Sequence, residues 1–252
     1  MTVDLGWGLA AALLLLVALA VLFSRLGDLG LARQQVVAAL RAVLQLAVVS
    51  LVIVGAVQHV WTSLLLVLLM FCIAVWTASG RAGVRNALPW VALAIAGGVL
   101  PVAAVVFLSG ASPFVGEAII PIVGIIVGNA KNAHTLVTRR AFPALREHRG
   151  EYEAALALGF ERPWSIGQII HPGVAEALVP NIDTTRTVGL VTLPGAFIGV
   201  MLGGGTPLQA GASQLLVLVG IMAANAGVAV LVERLVRAGR LLPADLKALL
   251  RP

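Results

Sequence analysis

An all-α, polytopic membrane protein is the architecture this sequence predicts, and three observations predict it. Hydrophobic residues make up 60% of the 252 residues and charged ones only 11%, less than half the roughly 25% that a water-facing domain carries. Mean hydropathy is +1.03, and several apolar runs approach the ~20 residues a helix needs to cross hydrocarbon. The Lys and Arg residues fall singly in alternate gaps between those runs, as they do in cytoplasmic loops.

Seven transmembrane spans follow in order, at about 5–23, 36–57, 62–79, 88–109, 115–137, 184–203 and 212–232. The first has no basic n-region and no A-x-A site closing its apolar run, so it reads as a retained span. Gly and Pro punctuate connections, as in "SGASPF" from Ser109 and "GGGTPLQAG" from Gly203. Arg25 and Arg33 lie between spans one and two, and Arg81 and Arg85 between three and four. Arg139, Arg140, Arg146, Arg149 and Arg162 follow the fifth, and Arg234, Arg237, Arg240, Lys247 and Arg251 form the tail. The gaps around His59, Ser112 and Thr206 hold none. This alternation predicts an outside N-terminus, a cytoplasmic C-terminus and one long cytoplasmic loop at 138–183. Residues 1–252 read as one transmembrane domain, multi-pass in the plasma membrane.

The composition also excludes function classes. A formal charge of +6 and a pI of about 11.0 do not indicate nucleic acid, because the basic residues are scattered at the ends of apolar runs; their partner is the bilayer. The single cysteine, Cys72, allows no disulfide framework. His59, His134, His148 and His171 show no metal-ligand spacing and read as interface histidines. No phosphate-cradling G-x-x-x-x-G-K-[ST] occurs, so the chain does not hydrolyse ATP by that route. An intramembrane enzyme would need a catalytic set, and neither Ser/His/Asp nor H-E-x-x-H is present.

Within the long loop lies "EAALALGFERPWSIGQIIHP", starting at Glu153. Glu151 and Glu153 suit the first turn of a short helix, where carboxylates complement the dipole. Ala154, Ala155 and Ala157 favour helix and leave a smooth face. Gly159 supplies a left-handed stop, and Pro163 starts a second helix at its first position. Such a helix suits docking into a groove on a soluble partner, a feature that an ATP-independent channel leaves unexplained.

Several polar residues and glycines lie in or beside the spans. Arg41 and Gln45 share one face of the second span; Arg41 either snorkels to the interface or pairs with an acid, for which Asp183 is the best candidate. Asp183 and Arg186, at i and i+3, also suit each other. Asn129, Asn132 and His134 gather at the cytoplasmic end of the fifth span, and Glu117 is the acid near its external end. Gly195, Gly199 and Gly203 repeat every four residues, as do Gly124 and Gly128, with Asn132 continuing that face. Small residues at this spacing let helices pack closely, often across a dimer interface. Pro121 and Pro194 free backbone carbonyls, which marks the fifth and sixth spans as the moving core.

Glu153-Ala154-Ala155, Gly159 after three further residues, and Ile169-x-His171-Pro172 resemble the EAA loop of ATP-binding-cassette (ABC) transporter permeases. His171 replaces the usual Leu. "RAVLQL" from Arg41, "IPIVGIIVGNA" from Ile120, "EAALALG" from Glu153 and "DTTRTVGLVTLPG" from Asp183 extend the likeness to the FetB type, permeases associated with iron export and plant aluminium tolerance. The resemblance implies a permease homodimer with a separate ATP-binding subunit that holds ATP and Mg, and no cofactor in this chain. It implies a coupling helix carrying Glu153, Ala154, Ala155, Gly159 and Pro172, and export of iron or another metal; a nucleotide-sugar or other organic substrate is the same-class alternative. Ala196-Phe197 after Gly195, and Lys131 after Ala130, stand where relatives often carry methionine, so soft thioether ligands are missing at both places.

Overall fold

The computed structural model describes residues 6–192 and 194–250. Leu5 at the start of the first predicted span, Leu193 in the sixth and Arg251 in the tail lie outside them. Among the described residues the regular structure is helical, apart from one isolated parallel bridge between Val188 and Thr192. The chain forms two compact units, Met1–Ala56 and Val57–Pro252.

The first unit is a helical hairpin of α1 (Trp7–Leu26) and α2 (Ala32–Ala56). Its turn uses Asp28 at φ 50° and Gly30 at φ 66°, and the Leu29 N–H donates to the Ser24 carbonyl at 2.9 Å. Both helices are apolar around their circumference, with Leu14, Leu15 and Leu51 all at least 70% exposed. Water does not solvate so continuous an apolar surface; hydrocarbon does.

The second unit contains α3 (Val60–Ala82), a 3₁₀ turn (Arg85–Ala87), α4 (Leu88–Leu108), α5 (Gly116–Glu147), α6 (Arg149–Ala157) and α7 (Arg162–Glu176). It continues with α8 (Val179–Thr187), α9 (Gly195–Leu202), α10 (Pro207–Arg237) and α11 (Ala244–Leu249). Glycine contacts set the packing. A Cβ on Gly116 would meet Ser63 and the Val57 carbonyl, and one on Gly124 would meet Met70, so α3 and α5 run parallel. A Cβ on Gly98 would lie 2.5 Å from the Ala224 carbonyl oxygen and 2.6 Å from Val228 Cγ2, and one on Gly97 would strike Leu231, so α4 runs antiparallel to α10. The core sits where α3, α4, α5 and α10 meet, around Ile95, Ile126, Ala224 and Val228.

Among the described residues five helices are long and apolar enough to cross a membrane: α1, α2, α3, Arg85–Leu108 and α10. They match the predicted spans one to four and seven within a few residues. The last begins at Pro207 rather than at 212, because Thr206 and Gln209 form a capping box: Thr206 Oγ1 accepts from the Gln209 N–H at 3.3 Å, and Gln209 Oε1 accepts from the Thr206 N–H at 2.8 Å. The fifth predicted span lies in α5, which continues ten residues beyond 137. At 32 residues it is ~48 Å long, against a hydrocarbon core of ~30 Å.

The sixth predicted span is corrected. Residues 184–203 are not one helix: α8 ends at Thr187, Gly189 takes φ 82°, and α9 restarts after Pro194 for only eight residues. A proline brings no N–H to the ladder, and Gly189 and Pro194 together interrupt it. The run α7–α8–α9 nevertheless lies along α10. A Cβ on Gly167 would meet the Arg237 guanidinium, and Gly199 lines a cavity with Ser213.

Gly98→Leu should lower the melting temperature of the purified, detergent-solubilised chain, since overpacking a close contact costs about 1–3 kcal/mol. Gly128→Ala, where nothing lies within 4 Å, should leave it unchanged. Equal melting of Gly98→Leu and wild type would refute the α4–α10 contact.

Candidate functional site

The charged stretch of the long loop folds into a knuckle, α6 followed by α7. It ends α6 with Gly159 at φ 87°, the Gly159 N–H donating to the Leu156 carbonyl (2.9 Å) and the Phe160 N–H to the Ala155 carbonyl (3.1 Å). This is the paired bonding of a Schellman stop. Glu161 caps α7, so Pro163 occupies its second position rather than its first. The helix α6 also starts at Arg149, earlier than expected, which moves Glu153 out of the first turn. Glu153 instead accepts from Arg149 Nε at 2.6 Å, and Glu151 lies 2.7 Å from His148 Nδ1.

One residue seats α6. Tyr152, the chain's single tyrosine, is 1% exposed and its hydroxyl donates to the Leu250 carbonyl at 3.0 Å. Burial pushes its phenol up from the ordinary value, with the Arg162 guanidinium opposing, so it stays a protonated donor. Alongside it, Arg146 Nε donates to Asp245 Oδ2 at 2.8 Å, tying α5 to α11. The opposite face of the knuckle is apolar and open. Leu158 is 78% exposed, Ala154 is exposed, and Phe160 stacks on Trp164 with ring centroids 4.1 Å apart. The aromatic pair was legible as Phe and Trp at i and i+4, and the sequence reading passed over it.

The knuckle is linked to the longer helices. Arg237 Nε at the end of α10 donates to the Pro163 carbonyl at 3.1 Å. Glu233, nearly buried, lies 3.2 Å from His171 Nδ1 and 3.5 Å from Arg237. Arg140 on α5 reaches Glu176 on α7 at 3.7 Å. Pro172 lies inside α7, which runs on to Glu176. His171, the departure from the EAA pattern, thus holds α7 to α10.

The other candidates have surroundings of their own. Arg41 and Gln45 share an exposed stretch of α2. Asp183 pairs with its neighbour Arg186 at 3.4 Å on α8. Asn129 donates to the Ile125 carbonyl of its own helix at 2.9 Å, and Asn132 is exposed. His134 is fully buried, and neither ring nitrogen has a hydrogen-bond partner among the described residues. The glycine stripes divide as well. Gly124 packs on Met70, but a Cβ on Gly128, Gly195 or Gly199 would meet nothing within 4 Å among the described residues, and Gly203 caps α9. Gly97, Gly98, Gly116 and Gly227, outside those stripes, also make close contacts between helices.

Two cavities differ in chemistry. One of about 440 Å³ between α4 and α10, lined by Gly97, Pro101, Gly220 and Ala223 among others, presents no polar side chain. Another, of about 370 Å³, brings Glu117 and Pro121 of α5 together with Gly199 of α9 and Ser213 of α10. Among the described residues no three His, Cys, Asp or Glu side chains gather to hold a metal.

A helical, multi-pass membrane protein with a polar knuckle at one end is what these elements define. The chain belongs to the uncharacterised protein family UPF0014, whose model matches residues 7–239. It is 34% identical over 216 residues to the rice UPF0014 membrane protein STAR2, covering 83% of this chain and 74% of that one. It is 31% identical over 210 residues to the Escherichia coli probable iron export permease protein FetB, 82% and 81% covered. To the Arabidopsis thaliana protein ALUMINUM SENSITIVE 3 it is 32% identical over 212 residues, 82% and 77% covered. No solved structure matches.

Tyr152→Phe should loosen α6 and α11 together by about 1 kcal/mol, one hydrogen bond's worth, read as faster amide exchange over 149–157 and 244–250. Acid should act on the same end. The Arg146 hydrogen bond holds the Asp245 carboxyl below its usual range. The pairing therefore contributes above the ordinary carboxylate pKa and is lost as pH falls through the depressed value. Protection of 244–250, taken as exchange relative to the intrinsic rate at each pH, should fall at acidic pH in wild type, and that fall should be absent in Asp245→Asn. Identical acid profiles in the two proteins would remove the pair from the account.

Proposed function

We propose that this chain is the permease subunit of an ATP-driven ABC transporter that exports iron or another metal ion. The observation that carries the reading is the knuckle: a short helix with a buried tyrosine on one side and an open apolar cap of Ala154, Leu158, Phe160 and Trp164 on the other. A rigid, preorganised apolar projection costs little to dock. The relative named as an iron export permease supports the transport class and the cargo.

The working unit is a homodimer with two copies of a separate ATP-binding subunit, which supplies ATP and Mg. The chain contributes seven crossings: α1 to α5, the discontinuous run α7–α9, and α10. The arginine-rich ends are cytoplasmic, which puts the N-terminus outside and the coupling helix α6 inside. Closure of the ATPase pair displaces the knuckle. Arg237, His171–Glu233 and Arg140–Glu176 pass that displacement to α10, α7 and α5, and the break at 188–194 lets α9 move separately. Glu117 then faces the outside, where carboxylate and hydroxyl oxygens suit a hard cation.

Ala154→Arg should weaken co-purification with the cognate ATPase about 5- to 100-fold, the equivalent of about 1–3 kcal/mol, while membrane insertion persists. Intact binding and metal efflux would make the knuckle an ordinary connector. A reporter fused at the C-terminus should be cytoplasmic and one inserted near Ser112 external; the reverse would overturn the orientation.

A further inference from the structure

We infer that the corner between α3 and α4, with the segment just beyond α10, binds the phosphate headgroup of an anionic phospholipid. The sequence has no Asp or Glu between Asp28 and Glu117, so this corner carries cations without local counter-charge. Arg81, Arg85 and Arg240 are exposed, and their side chains make no hydrogen bond or ion pair among the described residues. The knuckle arginines 140, 146, 149 and 237, by contrast, all have carboxylate partners.

Two of the free guanidiniums are held in place. Arg85 lies 4.7 Å over the ring of Trp76, and Arg240 lies 4.6 Å over the ring of Trp90. Stacking on an indole face orients the planar group and leaves its N–H edges free, ready for bidentate bonding to phosphate. Trp76 is in the last two turns of α3 and Trp90 is in the first turn of α4. Both therefore sit where candidate spans end, at the depth tryptophans take at a membrane–water boundary. Next to them, Leu69, Ile73 and Leu93 are exposed apolar surface for acyl chains. Arg81 is also within repulsive reach of Lys131, which adds positive potential. A headgroup phosphate satisfies the edges of the guanidiniums, and its tails cover the apolar flank. The inference is independent of the transport reading, since it needs only membrane placement.

The test uses the full chain in neutral detergent, with bound lipid counted by native mass spectrometry. Wild type should retain phosphatidylglycerol over phosphatidylcholine by about 10- to 30-fold, the scale of two arginines at an anionic surface. Arg85→Gln with Arg240→Gln should abolish the preference, and Arg85→Lys with Arg240→Lys should keep part of it; the Lys pair serves if the Gln pair does not fold. Arg149→Gln, on the knuckle, should behave as wild type. Melting should rise with phosphatidylglycerol and not with inorganic phosphate. Equal retention of both lipids, an unchanged preference in the paired variants, or an equal shift with inorganic phosphate would overturn the proposal.

Discussion

The backbones of α4 and α10 touch at Gly98 and Gly227, where a Cβ on Gly227 would lie 3.1 Å from the Gly98 Cα. The rest of the second unit depends on that approach. Between helices in lipid no hydrophobic gain is available, so association comes from van der Waals contact and from the few polar bonds that can be made. Removing side chains at the crossing lets α10 come close enough for Val228, Ala224 and Ile221 to pack in the core beside α5. The same helix then receives α7, α8 and α9 along its length. A bulky residue at Gly98 would therefore shift the element on which the knuckle is hung.

The discontinuous run follows from a second constraint. Peptide groups in hydrocarbon need partners, and a helix supplies them only while it is unbroken. At 188–192 the chain makes a single bridge, with the Gly189 N–H on the Thr192 carbonyl at 2.9 Å. Leu190 and Val191 are 90% and 77% exposed, and a Cβ on Gly195 or Gly199 would meet open space among the described residues. Backbone of this kind is stable at membrane depth only against water or another polypeptide. In the proposed transporter, water or a second polypeptide therefore covers 188–192.

Tyr152→Phe and Gly98→Leu probe features of different visibility in the sequence. Hydropathy revealed α1 to α4 and α10, because lipid-facing helices are apolar all round and need no partner to be recognised. It placed a fifth span inside α5, which runs ten residues further, and read 184–203 as one helix where the chain is interrupted. Polar residues from Asn129 onward mask where α5 stops, and Gly189 with Pro194 breaks what composition alone reads as continuous. The glycine stripes named faces but not partners: Gly195 and Gly199 have the four-residue spacing but a Cβ there would meet open space among the described residues, whereas Gly98 and Gly227, far apart in sequence, meet. The helical knuckle was visible through its charges, Gly159 and Pro163. Its seat was not, because the Tyr152 bond to Leu250 spans 98 residues.

Charge pairing separates two jobs that the positive-inside pattern treats as one. Arginines at 140, 146, 149 and 237 are spent on carboxylates. Exposed pairs of this type add little stability individually, but Arg140–Glu176 joins α5 to α7 and Arg146–Asp245 joins α5 to α11, while Arg237 also donates from α10 to the Pro163 carbonyl at the start of α7. They set the orientation of the knuckle relative to the bundle. Arg81, Arg85 and Arg240 sit closer to the apolar spans, and two of them, Arg85 and Arg240, are held by tryptophan instead. A guanidinium stacked on indole keeps its charge and most of its donors, so it stays available to an anion from outside the protein. At a bilayer surface the nearest such anion is a lipid phosphate. The two sets of arginines thus divide the same end of the molecule, one set braced by carboxylates around the knuckle and the other, two of its members stacked on tryptophan, open to the proposed lipid phosphate.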